Sequence, residues 1–384
     1  MKKICILTAT RAEYGLLKRV IQKLLQEPVF QVNIVVTGAH LSPEFGLTYK
    51  EIEADGFEIN EKIEMLLSSD SPAAISKSMG LAMIGFADYF ERTKPDLLVV
   101  LGDRYETLAV CCAAMTQRIP IAHLYGGEAT EGLIDEAIRH AITKMSYLHF
   151  TSTEDYRRRV IQLGEAPDRV FNVGSLGVEN VLHEELLTKA ELGNSIDWKL
   201  NKPYAVVTFH PVTLENQTSE EQIQELLCAI AQNTQYQFLI TKGNADSDGR
   251  VINALIDRFV RKNKHTKSFF SLGLKKYLSA VKYASFVIGN SSSGVIEVPS
   301  FGIPSINIGD RQKGRIQANS VLNCIADCDA INQMINHAAS SDFKGCISGT
   351  NPYHKENTSD EIAEIIKNFV IREKIDLKKT FYDL

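Results

Sequence analysis

Residues 97–106 read LLVVLGDRYE: five aliphatic side chains in succession, then a glycine, an acid and a polar run. An unbroken apolar run of this kind, with no polar alternation, marks a strand buried on both faces. The Gly-Asp pair ends it, so Leu97–Asp103 reads as a strand carrying a carboxylate at its terminus. Outward from it the pattern repeats. Lys3–Thr8 (KICILT) and Val32–Gly38 (VNIVVTG) precede it as strands, with a helix from Tyr14 to Leu25 between them. After it come helix Thr107–Gln117, strand Ile119–Leu124, helix Leu133–Tyr147, strand Leu148–Ser152, helix Glu154–Leu163 and strand Val170–Val173. Strand–helix–strand succession implies a parallel sheet covered on both faces.

The stretch Leu182–Lys202 is polar and lacks a strand pattern, which places a boundary there. A second series follows: strand Tyr204–Phe209, helix Ser219–Asn233, strand Tyr236–Thr241, helix Val251–Lys262 and strand Ser268–Leu272. Helix Leu274–Tyr283, strand Phe286–Ile288, helix Gly294–Ser300 and strand Ile303–Ile308 continue it, and a final helix, Ser359–Ile371, is expected to cross back to the first half. The chain, at 384 residues, exceeds one typical core. The expected architecture is α/β, with two Rossmann-like, doubly wound parallel-sheet domains, 1–180 and 181–384, facing a cleft. Such sheets bind ligands at the carboxyl ends of their strands, where strand order reverses.

A net charge of −5 argues against general nucleic-acid or anionic-membrane binding, since both need a basic face. The apolar run Ile4–Leu7 is too short for a signal peptide, and no stretch approaches the length of a membrane span. Cys5, Cys111, Cys112, Cys228, Cys324, Cys328 and Cys346 contain no CxxC pair. Their scatter fits reduced, mostly packed thiols in a cytoplasmic protein with no structural metal.

The polar residues at strand ends are the candidates for chemistry. Arg11 follows the first strand where a helix begins, so guanidinium and helix N-terminus together suit a phosphate. The GxGxxG of a dinucleotide site is missing there, which weighs against an NAD or FAD enzyme. Asp103 ends its strand beside Arg104, as a catalytic acid or as a helix cap. His123 and Glu128 flank Gly126-Gly127, a pair that lets backbone approach a ligand. Asp135 and Glu136 share helix faces with Arg139 and His140, by spacing alone an ordinary salt-bridged helix for some of the four. His210 ends one strand of the second half, and Lys242-Gly-Asn244-Ala-Asp246 ends the next. Gly289-Asn-Ser291-Ser292-Ser-Gly294 joins a strand to a short helix and makes an anion cradle suited to a diphosphate. Glu297 stands one turn on, placed for a ribose, and Arg311 and Arg315 add positive charge.

Together these motifs resemble the UDP-N-acetylglucosamine 2-epimerase family, in its hydrolysing branch. The resemblance covers nearly the whole chain, through TRAEYG, LGDRYE, HLYGGE, IDEAIRHAITKMS, TSTEDY, FHPVTLEN, GNSSSGVIEVPSFG and INIGDRQKGR in that order. It implies the fold of GT-B glycosyltransferases and a cofactor-free reaction of UDP-GlcNAc with water, giving ManNAc and UDP for sialic-type acid synthesis. It also implies an acid–base sugar side in the first domain and a UDP-binding second domain. On this reading Asp103, Glu128 and Asp135 handle protons and His210 meets the phosphate or sugar. Arg11, Ser291, Ser292, Glu297 and Arg311 hold UDP, with Arg104, His123, Tyr125, Asn244 and Asp246 also on the substrate side. Where several relatives read H-x-E-G-G-E, this chain has Tyr125, leaving the glutamate role to Glu128 or to the phenol. The partner implied is the UDP-sugar, with a homo-oligomer, dimer or tetramer, as the expected assembly.

One alternative keeps the fold and takes UDP-2,4-diacetamido-2,4,6-trideoxyglucose, on the way to legionaminic acid. Others are an acceptor-dependent GT-B glycosyltransferase, disfavoured by the carboxylates gathered in the first half, and a non-enzymatic sugar sensor. The non-hydrolysing branch typically reads G-T-R-P-E at the first turn, whereas this chain has Ala12.

Overall fold

The computed structural model describes residues 1–69, 71–131, 133–212, 218–243, 249–371 and 375–384. The chain forms two compact units: Met1–Glu128 with Ile134–Glu179 and Lys355–Leu384, and Asn180–His354 with the short segment Ala129–Leu133.

In the first unit the described strands are β1 (Lys2–Thr8), β2 (Phe30–Thr37), β3 (Ile59–Ile63), β4 (Leu97–Leu101), β5 (Ile121–Leu124), β6 (Leu148–Thr151) and β7 (Val170–Asn172). They form one parallel sheet in the order β3-β2-β1-β4-β5-β6-β7, so strand order reverses between β1 and β4. The inner strands are buried on both faces because helices cover both sides; all five residues of β4 are buried. On one side Leu17, Val20, Ile21 and Leu24 pack with Ile362, Ile366 and Val370 of the last helix, Thr358–Ile371. On the other, Phe86, Tyr89 and Phe90 pack with Val110, Cys111 and Ala114.

In the second unit β8 (Tyr204–Thr208), β9 (Gln237–Thr241), β10 (Thr266–Phe269), β11 (Phe286–Gly289), β12 (Ser305–Ile308) and β13 (Val321–Cys324) follow the same plan. Their order is β10-β9-β8-β11-β12-β13, all parallel, with the reversal between β8 and β11. The α/β reading of two doubly wound sheets holds in each unit.

Several boundaries differ from the sequence expectation, each for a local reason. Strand β4 stops at Leu101, because Gly102 takes φ 79 and turns the chain before Asp103. The expected helix Gly294–Ser300 is a short helix, Ser292–Ile296, followed by a 3-10 turn, Val298–Phe301, since Pro299 cannot continue an α-helix. Within Leu182–Lys202, Thr188 and Glu191 form a capping box for helix Lys189–Ser195. The longest described helix, Pro72–Thr93, escaped the pattern because Ser76, Ser78, Gly80 and Gly85 dilute its apolar stripe. β3 (INEKI) escaped because an edge strand needs only a little apolar surface.

The C-terminal segment is tied to the first unit. Lys379 Nζ lies 2.6 Å from Glu165 and donates to Ser146 O at 2.7 Å. Burial pushes the Glu165 carboxyl up, but hydrogen bonds from His149, Lys144 and Lys379 outweigh it and hold the group at about 2. The seven cysteines are free; Cys5 and Cys111 are packed inside, while Cys228 and Cys346 are exposed. No helix among the described residues is long and apolar enough to cross a membrane.

Gly289 closes β11 at φ 140, and a Cβ there would stand 1.9 Å from Thr208 O on β8. Gly289→Ala is therefore expected to part β8 from β11 and to destabilise the chain by more than about 2 kcal/mol. Urea unfolding of the variant checks this, and an unchanged midpoint would contradict the packing described.

Candidate active site

In the first unit the polar residues gather where β1, β4 and β5 end. Thr10 and Glu13 form a capping box for helix Arg11–Gln26, and Glu13 Oε2 accepts from Ala9 N at 2.7 Å and Thr10 N at 3.1 Å. Those amides are already engaged, so an anion reaching this turn would meet the Arg11 side chain rather than them. Arg11 is half-buried, and burial lowers the pKa of its guanidinium, with Glu51 opposing. Burial pushes the Glu13 carboxyl up to about 7, against the pull of Arg104 and with the help of Glu106. Arg104 is tied to the fully buried Glu106 by two hydrogen bonds, at 3.1 and 3.0 Å.

Asp103, just beyond β4, forms an ion pair with Arg139 of helix Asp135–Met145. Arg139 is 1% exposed, and its other nitrogen donates to Glu136 Oε2 at 2.5 Å and to Glu128 O at 2.9 Å. His140 Nε2 lies 3.2 Å from the second oxygen of Glu136. The spacing that read as an ordinary surface helix thus delivers a buried arginine that draws three acidic positions together. Asp135 opens the same helix, half-buried. Glu128 is buried and accepts from Ser152 Oγ, at the end of β6, at 2.8 Å.

His123 and Tyr125, expected on the substrate side, both make hydrogen bonds within the first unit. His123 Nε2 donates to Gly102 O at 2.8 Å, and Thr143 Oγ1 stands 3.2 Å from His123 Nδ1. A carbonyl can only accept, so the ring carries its proton on Nε2 and takes the threonine hydroxyl on Nδ1. Burial lowers this imidazole to about 3, so it stays neutral and braces the turn before Asp103. Tyr125 holds a left-handed backbone (φ 70), rare for a bulky residue, and its phenol is turned into the core against Ser175 Oγ at 3.2 Å.

In the second unit the candidates converge on Asn290, which is fully buried. Its side chain accepts from His210 N at 2.7 Å and donates to His210 O at 2.8 Å, joining the ends of β8 and β11. Its carbonyl accepts from Arg311 Nη1 at 3.2 Å and Gln312 Nε2 at 2.9 Å. Ser291 caps helix Ser292–Ile296, and Ser292 is half-buried. Tyr277 donates to Ser293 Oγ at 2.8 Å; burial raises its phenol to about 12, with the nearby charge of Glu297 adding to the rise. Arg315 Nε donates to Ala129 O at 3.3 Å. Asn244 and Asp246 lie outside the described residues.

The structure thus groups Asp103 and Glu128 on Arg139, and His210 and Arg311 on Asn290. Glu136, Arg139 and Asn290 carry more of each site than sequence reading gave them. The signal for Arg139 was present as a charged residue spaced i,i+3 from one acid and i,i+4 from another, but its burial was not.

Each unit thus has the doubly wound sheet of a GT-B-like fold and gathers polar side chains where its strand order reverses. The chain belongs to the UDP-N-acetylglucosamine 2-epimerase family, whose pattern matches residues 22–367, and to its hydrolysing branch. It is 44% identical to the "GDP/UDP-N,N'-diacetylbacillosamine 2-epimerase (hydrolyzing)" of Campylobacter jejuni, over 89% of each chain. It is 43% identical to "Polysialic acid biosynthesis protein P7" of Escherichia coli, over 100% of this chain and 98% of the other. With the "UDP-N,N'-diacetylbacillosamine 2-epimerase (hydrolyzing)" of Legionella pneumophila it shares 32% identity over 98% of each. Its fold is that of the UDP-GlcNAc 2-epimerase of Neisseria meningitidis solved with UDP-GlcNAc, with TM-score 0.80, 18% identity, and coverage of 96% of this chain and 100% of the other.

The raised Glu13 pKa has a consequence for stability. Between pH about 4.5 and about 7 the unfolded chain ionises Glu13 while the folded chain keeps its proton. Its contribution to stability is therefore full below pH about 4.5 and is lost as pH rises through about 7. Glu13→Gln keeps the accepting oxygen and cannot ionise. The melting temperature of the variant minus that of the parent is expected to rise across this window, and a pH-independent difference would remove Glu13 as the cause.

Proposed function

We propose that this hydrolysing UDP-sugar 2-epimerase acts on UDP-N,N'-diacetylbacillosamine, the 2,4-diacetamido-2,4,6-trideoxy sugar, and releases UDP and the free sugar epimeric at C2. This reverses the order in which the sequence placed the two candidate sugars. The observation that carries the choice is the 44% identity, across 89% of both chains, with the Campylobacter enzyme named for the GDP- or UDP-linked form of that sugar. The Legionella relative carries the same kind of name. A second reading, UDP-GlcNAc giving ManNAc, is favoured by the comparable likeness to the Escherichia coli polysialic acid protein.

The reaction needs a base for the weakly acidic C2–H, cationic help for the departing diphosphate, and an acid for hydration. In the elimination a carboxylate takes the C2 proton, the C1–C2 double bond forms, and the C1–O electrons leave with UDP. Water then gives its hydroxyl to C1 and its remaining proton to a carboxylate, while a carboxylic acid delivers a proton to C2 on the face opposite the one deprotonated. Asp103, Glu128 and Asp135 are the acid–base candidates, and the geometry adds Glu136, which shares Arg139 with Asp103. His210, reached through the loop held by Asn290, contacts the phosphate or the sugar. Arg11, Ser291, Ser292, Glu297 and Arg311 hold UDP. Arg104 and His123 act one step back, through Glu106 and the Gly102 carbonyl.

The test is incubation with each UDP-sugar in D2O without an acceptor, followed by proton NMR. Release of UDP and of a 2,4-diacetamido sugar deuterated at C2, faster than from UDP-GlcNAc, is the expected result. Preferential turnover of UDP-GlcNAc would move the chain to the second reading, and inertness toward both would reject the proposal. Asp103→Asn is expected to lose at least about 100-fold in kcat while binding UDP within a few fold of the parent. A near-normal rate would remove Asp103 from the mechanism.

A further inference from the structure

Cys228 and Cys328 are far apart in the sequence and adjacent in the second unit. Cys228 lies on helix Ser219–Gln232, and Cys328 is the first residue of helix Cys328–Ala339. The two helices share one core, Ile223, Leu226, Leu227 and Ile230 packing with Ile331, Ile335 and Ala338. At the surface edge of that core, Gln232 Nε2 stands 3.6 Å from Cys228 Sγ and 3.4 Å from Cys328 Sγ. Two sulfurs on one amide nitrogen are within a single side chain's reach of each other. Polar contacts fix the frame: Cys328 N donates to Glu225 Oε2 at 2.8 Å, Asn332 Nδ2 to Gln232 Oε1 at 2.8 Å, and Asn233 Nδ2 to Asn332 Oδ1 at 2.6 Å. Cys228 is exposed and Cys328 half-buried, so a small molecule reaches the first thiol before the second.

We propose that Cys228 and Cys328 form a thiol–disulfide site that closes when the chain meets a small-molecule disulfide. Cys228 is the attacking thiol. Burial, with the neighbouring Cys228 sulfur adding to it, pushes the Cys328 thiol up to about 12, and the exposed Cys228 is the thiol that a small disulfide reaches first. The Cys228 thiolate attacks one sulfur of the small disulfide, breaks its S–S bond and expels one small thiolate, which takes up a proton. Cys328 then gives up its proton and attacks the Cys228 sulfur of the mixed disulfide, and the second small thiol leaves. Two protein thiols are oxidised to one disulfide, and one small disulfide is reduced to two thiols. The bond would staple the two helices at the end remote from the catalytic loop. At the other end of the first helix, Ser219 Oγ accepts from Val212 N at 3.1 Å, two residues after His210. The crosslink therefore anchors the helix that carries that loop.

The test treats the reduced full chain with oxidised glutathione, then maps non-reduced peptides by mass spectrometry after blocking remaining thiols. Cys346, exposed elsewhere, serves as the internal control. The expected result is a linked Cys228–Cys328 peptide lighter by two hydrogens, with glutathione retained on Cys346 but on neither of the pair. Cys328→Ser should instead trap glutathione on Cys228, and Cys228→Ser should leave Cys328 unmodified. The oxidised parent should melt at a higher temperature, and dithiothreitol should return it to the starting value. Separate glutathione adducts on both cysteines of the parent would overturn the proposal. So would an unmodified pair in a sample whose Cys346 is fully modified.

Discussion

The polar cluster beyond the ends of β4 and β5 rests on one buried guanidinium. Arg139 is 1% exposed, and a guanidinium cannot lose its charge at ordinary pH, so its burial demands matched acceptors. Asp103, Glu136 and the carbonyl of Glu128 supply them. Each acceptor comes from a different piece of chain, after β4, on helix Asp135–Met145 and after β5. The arginine thus fixes three segments at once, and a shift in any of them would leave charge uncompensated in a low dielectric. That constraint holds the Asp103 and Glu136 carboxylates on one guanidinium in spite of their mutual repulsion.

Around this cluster the neighbouring groups are engaged with one another. His123 is neutral and bonded on both ring nitrogens, bracing the Gly102 turn. Arg104 and Glu106 satisfy each other, and the charge of Glu106 adds to the burial that keeps Glu13 near neutrality in its pKa. The Tyr125 phenol is spent on Ser175 in the core. Residues that look equally polar in the sequence therefore differ in what they bind, some a backbone carbonyl and some an opposite charge.

The second unit solves the same problem without a buried charge. Asn290 uses both ends of its amide to clasp the backbone of His210, and its own carbonyl is capped by Arg311 and Gln312. A reciprocal amide clasp suits a loop between β8 and β11, where the strands lie too close for any side chain at Gly289. Both loops occupy the position where strand order reverses, so the two units apply one topological rule with different chemistry.

The sequence by itself determined the alternation of buried strands and helices, because runs such as LLVVL and YAVVT have no stable placement except inside a covered parallel sheet. It also determined which polar motifs stand at strand ends, and the family. Weakly patterned elements stayed hidden: the glycine- and serine-diluted helix Pro72–Thr93 and the edge strand β3 bury too little per residue to print a period. Only the tertiary structure decided burial and pairing between remote residues. An arginine at i+3 looks the same on a wet face as in a core, and Arg139 became the centre of a site only when β4 and β5 brought Asp103 and Glu128 to it. Cys228 and Cys328 likewise became neighbours only through helix packing, because contact between distant residues is set by how elements stack and not by any local pattern of side chains.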